Sequence, residues 1–82
     1  MGSRERDVDQ FLGELCSKLG FCSAHRDIQR FVSLLDSEPV VWADEILRME
    51  GLDPQLEKAW RRALRLEVEK RFALWEQRGQ RT

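Results

Sequence analysis

The sequence is poor in the residues that favour β-strands. Its 82 residues include five valines, two isoleucines and one threonine. No segment alternates apolar and polar side chains over a useful length, which a half-buried strand requires. Long apolar runs are missing as well: no stretch approaches the roughly 18 apolar residues of a membrane-spanning helix. Residues 4–10 are charged where a secretory signal has an apolar core. We therefore expect a helical chain without a membrane segment, located inside the cell and in the cytoplasm.

The net charge of the chain is small, although charged residues are abundant and unevenly distributed. The formal net charge at pH 7 is −1, so no chain-wide field attracts nucleic acid or a membrane surface. Residues 1–53 carry six Lys and Arg against eleven Asp and Glu, and residues 54–82 carry eight Lys and Arg against four Glu. This polarity could orient a partner, align two copies, or dock the last helix on the preceding ones.

Cysteine and histidine are too few to favour a chemical site. Cys16, Cys22 and His25 have the spacing C-x5-C-x2-H, which is unusual for zinc and lacks a fourth soft ligand. A Cys22–His25 dyad would also need an orienting group and a pocket. Ser37 is followed by Glu38-Pro39, where a phosphopantetheine carrier has an apolar residue. We therefore expect two reduced thiols, no metal, no cofactor and no enzymatic activity.

Helical periodicity recurs four times, and the first two segments have clear boundaries. The first helix is predicted from about Glu5 to Leu19, with one apolar stripe. That stripe is Val8, Phe11, Leu12, Leu15 and Leu19. Gly20 then ends the helix, and Phe21 can fold back on its last turn. The second helix is predicted to start after the N-cap Ser23 and to stop near Asp36.

The third and fourth helices follow after short connections. Pro39 suits the first turn of the third helix, and Gly51 ends it. Asp53 is predicted as the N-cap of the fourth helix. That helix would continue for about 24 residues, or ~36 Å, until Gly79 closes it. We therefore predict an all-α fold: one compact bundle of four helices forming a single domain over residues 1–82, with a frayed tail at 79–82.

The fourth helix carries the main functional prediction. Its apolar residues recur every four positions, so the row winds around the helix, and two residues lie off it, Leu66 and Leu74. In the first half the predicted core stripe is Leu56, Ala59, Trp60, Ala63 and Leu64. In the second half, either the first helix covers the row, or the helix outruns its neighbours and leaves an apolar patch exposed. We favour the patch, which would bind another protein or a second copy of the chain. Its predicted residues are Val68, Phe72, Leu74 and Trp75.

Nucleic-acid binding is the alternative prediction. Lys58, Arg61, Arg62 and Arg65 share one helix face that could contact phosphates. A helix-turn-helix template centred on Gly51 nevertheless places Glu50 and Glu57 where apolar residues are needed. Most basic helix faces of this kind are simply exposed to solvent and bind no nucleic acid. The interaction module is therefore the preferred prediction, and nucleic-acid binding stays the alternative.

Overall fold

The computed structural model describes residues 3–79, and its regular secondary structure in that range is entirely helical. The all-α, four-helix prediction is confirmed. A short 3₁₀ turn separates the first two α-helices. The elements are α1 Ser3–Leu19, the 3₁₀ turn Ala24–Arg26, α2 Ile28–Val32, α3 Pro39–Met49 and α4 Lys58–Gly79.

α1 ends where the sequence predicts, at a glycine with positive φ. Gly20 has φ +83°, a conformation that glycine adopts without a Cβ penalty. Its N–H donates to the carbonyl oxygen of Cys16 at 3.0 Å, which satisfies one of the last helical carbonyls. Phe21 then turns inward and is only 6% exposed. Four of the five predicted stripe residues are fully buried: Val8, Phe11, Leu12 and Leu15.

The second predicted helix is shorter and more broken than expected. The chain forms a 3₁₀ turn, then the five-residue helix α2, and then turns over residues 33–36. Asp27 separates the first two pieces, with φ −136° and ψ 64°, outside the helical region. Ser23 precedes the 3₁₀ turn but makes no side-chain capping bond. Its backbone N–H instead donates to Oε1 of Glu50 at 2.8 Å, so a tertiary contact replaces the predicted cap.

α3 has the predicted boundaries at both ends. Pro39 is its first residue, where the missing N–H costs no helical hydrogen bond. At the other end Gly51 has φ +78°. The Leu52 N–H donates to the Leu47 carbonyl at 2.9 Å, and the Gly51 N–H to the Arg48 carbonyl at 3.0 Å. These two bonds form a Schellman motif at Gly51, the residue predicted to end this helix.

α4 begins later than the sequence predicts. Oδ1 of Asp53 accepts a hydrogen bond from the Gln55 N–H at 2.9 Å, and its carbonyl accepts from Glu57 at 2.9 Å. Asp53 therefore closes a turn ahead of the helix, which starts at Lys58. The helix has 22 residues, or about 33 Å. Gly79 is its last residue, and residues 80–82 of the predicted tail lie outside the described residues.

The core is centred on Trp42 of α3, which is fully buried. Its indole N–H donates to the carbonyl oxygen of Leu34 at 2.7 Å, so the polar atom of the ring is satisfied. Four aromatic rings surround it at centroid distances of 5.1–6.3 Å: Phe11, Phe31, Phe72 and Trp75. Because these rings come from α1, α2 and α4, one apolar cluster joins all four helices.

Candidate protein-interaction surface

The predicted apolar patch on α4 is largely enclosed by the chain itself. Val68 is fully buried, and Phe72 and Trp75 are partly buried against the core. Leu74, at 53% exposure, is the one member that faces solvent. The exposure expected for Val68, Phe72 and Trp75 is therefore not found. Binding of a partner at these three residues stays a prediction, and the structure gives them no open surface for it.

α1 is the element that covers the second half of α4. The Phe11 and Trp75 rings meet edge to face at 6.1 Å. The Arg71 guanidinium lies 5.0 Å from the Phe11 ring centroid and pairs with Glu14 at 2.6 Å. One turn further along, Lys18 pairs with Glu67 at 3.2 Å. Positions rise along α1 as they fall along α4, so the two helices run antiparallel. Of the two explanations considered for the winding row, the structure has the one in which α1 covers it.

The first half of α4 is exposed where a core stripe was expected. Leu56 is 80% exposed and lies in the turn before the helix, and Trp60 is 40% exposed. Trp60 contacts Phe21 edge to face at 5.1 Å, so one side of its ring is covered and the other is open. Leu64 is the first fully buried residue of α4. The core-stripe prediction is therefore wrong for Leu56, Ala59 and Trp60, because α1 has ended before it reaches them.

A different apolar surface lies on the side of α4 that faces away from the core. Leu66 is 45% and Leu74 53% exposed. At about 100° per residue these side chains share an arc of about 80° with four neighbours on the same helix. We name this surface the outer face; it consists of Ala59, Ala63, Leu66, Lys70, Leu74 and Gln77. The sequence held a signal for it, since Leu66 and Leu74 are the two leucines that lie off the four-residue row.

Two of the four cations of the alternative nucleic-acid face are engaged within the chain. Nε and Nη2 of Arg61 donate to the two carboxylate oxygens of Asp44 at 2.6 and 3.3 Å. These hydrogen bonds, and then the charge attraction to Asp44, raise the pKa of Arg61 above its ordinary value. Arg65 lies 3.6 Å from Glu69. Lys58 and Arg62 form no ion pair with any side chain that the structure describes.

The cysteines and the histidine are arranged differently from the sequence expectation. Cys16 and Cys22 form a disulfide, with Cα atoms 4.3 Å apart. The expectation of two reduced thiols is therefore wrong in this structure, because the positive-φ turn at Gly20 brings the two positions together. Nε2 of His25 lies 2.6 Å from Oδ1 of Asp9 on α1. Cys22 thus has no free thiol to pair with His25.

Residues 3–79 contain neither a candidate metal site nor a membrane-spanning helix. In that part of the chain, no group of three or more His, Cys, Asp or Glu side chains could hold a metal ion. None of the described helices is both long enough and apolar enough to cross a membrane. Comparison with protein-family models, curated proteins and solved structures gives no match for this chain.

Proposed function

We propose that this chain is a non-catalytic protein-interaction module that binds its partner through the outer face of α4. The observation that carries the proposal is the exposure of Leu66 and Leu74 on one side of the longest helix. Exposed apolar side chains grouped on one face often mark a protein-binding surface. Lys70 lies between them, and such a charged side chain keeps the unbound face hydrated.

The arrangement of the two cysteines and the histidine supports a non-catalytic role. A cysteine nucleophile must be a thiolate, and both cysteines are held in the disulfide. The single histidine is bonded to Asp9 rather than placed beside a nucleophile. Both His25 and Asp9 lie away from α4, so neither side chain takes part in the proposed binding surface.

A location inside the cell, in the cytoplasm, stays part of the proposal. The disulfide is the observation that weighs against it, because such bonds persist mainly in oxidising compartments. Alkylating free thiols at the moment of cell lysis tests this point. Modification of both cysteines would support a cytoplasmic location. Protection of Cys16 and Cys22 from the alkylating reagent would contradict it.

The outer face is tested with a tagged chain in extracts of the cells that produce it. We compare the elution of wild type with that of a Leu66→Asp, Leu74→Asp double variant. The matched control is Leu56→Asp, which also places a charge at an exposed leucine but lies outside the outer face. Circular dichroism should show equal helix content in all three proteins, since each substituted side chain is exposed.

We expect wild type and the Leu56→Asp control to elute in a complex larger than the 9.7 kDa chain. The double variant should elute at the mass of the monomer, because two carboxylates cannot be buried unpaired at an apolar contact. Elution of the double variant in the same complex as wild type would show that another surface binds the partner. Elution of all three proteins as monomers would contradict an interaction role.

A further inference from the structure

The charges beside the outer face are sorted along the length of α4. Four exposed charged residues lie along one edge of this face, on the side of Leu66, at spacings of four, seven and seven positions. We name them the charged edge: Lys58, Arg62, Glu69 and Glu76. The first two are basic and lie in the first half of the helix, and the last two are acidic and lie in the second half. When two copies of this helix run in opposite directions, the basic half of one edge lies beside the acidic half of the other.

We propose that the partner bound at the outer face is a second copy of this chain, packed with its α4 antiparallel. This inference rests on the proposed function and adds the identity of the partner. A two-fold axis that reverses a helix brings the same edge of both copies together, with the first half of one against the second half of the other. The basic half of each charged edge then meets the acidic half of its mate.

The register follows when the two copies of Leu66 face each other at the centre. With about 1.5 Å of rise per residue, Lys58 then lies within about one turn of Glu76 of the second copy. Arg62 lies within the same distance of Glu69 of the second copy, and long cationic side chains can span such an offset. The two-fold axis repeats both pairs, so four attractive contacts flank the apolar centre.

The apolar residues of the outer face fit the same register. Leu74 falls opposite Ala59 of the second copy, where the small side chain leaves room for it. Ala63 likewise falls opposite Lys70 of the second copy, whose aliphatic stem can lie along it while the ammonium group reaches solvent. Each large side chain at the contact therefore meets a small one, except at the centre, where Leu66 meets itself.

A parallel pair lacks this complementarity. A two-fold axis parallel to the helices brings opposite edges of the two copies together, so the charged edge of one copy would not meet the charged edge of the other. The four attractive contacts would then not form. The key charges are also available for pairing, because Lys58, Arg62 and Glu76 form no ion pair with a described side chain. Glu69 has only the exposed contact to Arg65 at 3.6 Å.

Two single charge reversals, Lys58→Glu and Glu76→Lys, test the arrangement. Lys58 is the first residue of α4 and Glu76 lies in its last turn. A negative charge at a helix N-terminus and a positive charge at a C-terminus both favour the helix. Neither substitution should therefore unfold the chain, and a loss of association would report on the contact between copies.

We expect purified wild-type chain to sediment as a dimer. Each single variant creates two repulsive pairs and should dimerise about tenfold more weakly at low salt. The double variant Lys58→Glu, Glu76→Lys exchanges both charges and should regain the wild-type affinity. In a 1:1 mixture of the two single variants, the Lys58→Glu chain is acidic at both positions 58 and 76, and the Glu76→Lys chain is basic at both. These positions therefore attract each other only when the two chains of a dimer differ. Native mass spectrometry of that mixture should show heterodimers in clear excess over homodimers.

The outcomes separate this inference from the proposed function. A purified wild-type chain that stays monomeric overturns self-association. If the Leu66→Asp, Leu74→Asp variant still loses its complex in extracts, the interaction role stands with another protein as partner. If that complex persists, both proposals fall. A wild-type dimer combined with no heterodimer preference in the mixture overturns the antiparallel arrangement.

Discussion

The indole ring of Trp75 stands edge-on to the phenyl ring of Phe11, with centroids 6.1 Å apart and planes at 86°. The two residues are far apart in sequence, and this contact joins the middle of the first helix to the last turns of the fourth. It makes the end of α4 part of the core. A surface that the sequence marks as apolar is consequently shielded by the chain's own first helix.

Replacing Trp75 should therefore destabilise the monomer. We expect Trp75→Ala to lower the free energy of unfolding by about 2–4 kcal/mol, because the ring contacts Phe11, Trp42 and Phe72. Urea denaturation at a protein concentration below self-association measures this change. The neighbouring substitution Leu74→Ala is the control and should cost less than about 1 kcal/mol, since Leu74 is exposed. Unchanged stability with weaker association would instead support the patch first expected from the sequence.

The disulfide should stabilise the fold by closing the turn between α1 and the 3₁₀ turn. For a loop this short, the chain-entropy argument gives about 2 kcal/mol. We expect dithiothreitol to lower the thermal midpoint of wild type. The Cys16→Ser, Cys22→Ser variant should start at that lower midpoint and show no response to the reagent. An identical midpoint for oxidised and reduced wild type would mean that packing alone holds the turn.

Duplex DNA offers a test of the alternative function. Because Asp44 and Glu69 engage Arg61 and Arg65, few cations of α4 are free for phosphates. We expect no retarded band in a gel-shift assay at about 0.15 M salt, where weak phosphate contacts are screened. A salt-sensitive shift that Arg62→Glu abolishes, while Arg48→Glu on α3 leaves it unchanged, would support nucleic-acid binding instead.

The raised pKa of Arg61 should not make folding sensitive to pH in ordinary buffers. A raised pKa in the folded state stabilises the fold below the unfolded pKa, and the effect is lost only as pH rises through the folded value. For Arg61 both values lie in the strongly alkaline range. Arg61 therefore keeps its charge in ordinary buffers, and urea denaturation at neutral and at mildly alkaline pH should show no loss of stability from this residue.

The sequence predicted the local structure best where a single residue controls the backbone. Gly20, Gly51 and Pro39 mark helix ends in the sequence and in the structure, because positive φ or a missing N–H acts over one or two residues. Ser23 and Asp53 were less informative. An N-cap contributes only about 1 kcal/mol, so other contacts can override it. The turn after Ser23 is 3₁₀ rather than α-helical, and Asp53 closes a separate turn ahead of α4.

The candidate surface was less predictable than the helices. The second half of the four-residue row, from Leu64 to Phe72, correctly indicated apolar contacts, but one helix could not show which neighbour would cover it. Covering depends on where α1 lies, and that depends on apolar contacts such as Phe11–Trp75, which are distant in sequence. Leu66 and Leu74 were visible as exceptions to the row, and their exposure followed once the covered side was known.

The sequence by itself determined that this chain is helical, where most of its helices end, and that the fourth helix is long. These properties follow from periodicity and from backbone preferences that act over a few residues. The tertiary structure decided that α1 runs antiparallel to α4, that Phe72 and Trp75 turn inward, and that Cys16 reaches Cys22. Those outcomes depend on how apolar faces from separate helices share one small core, and no local pattern fixes that choice.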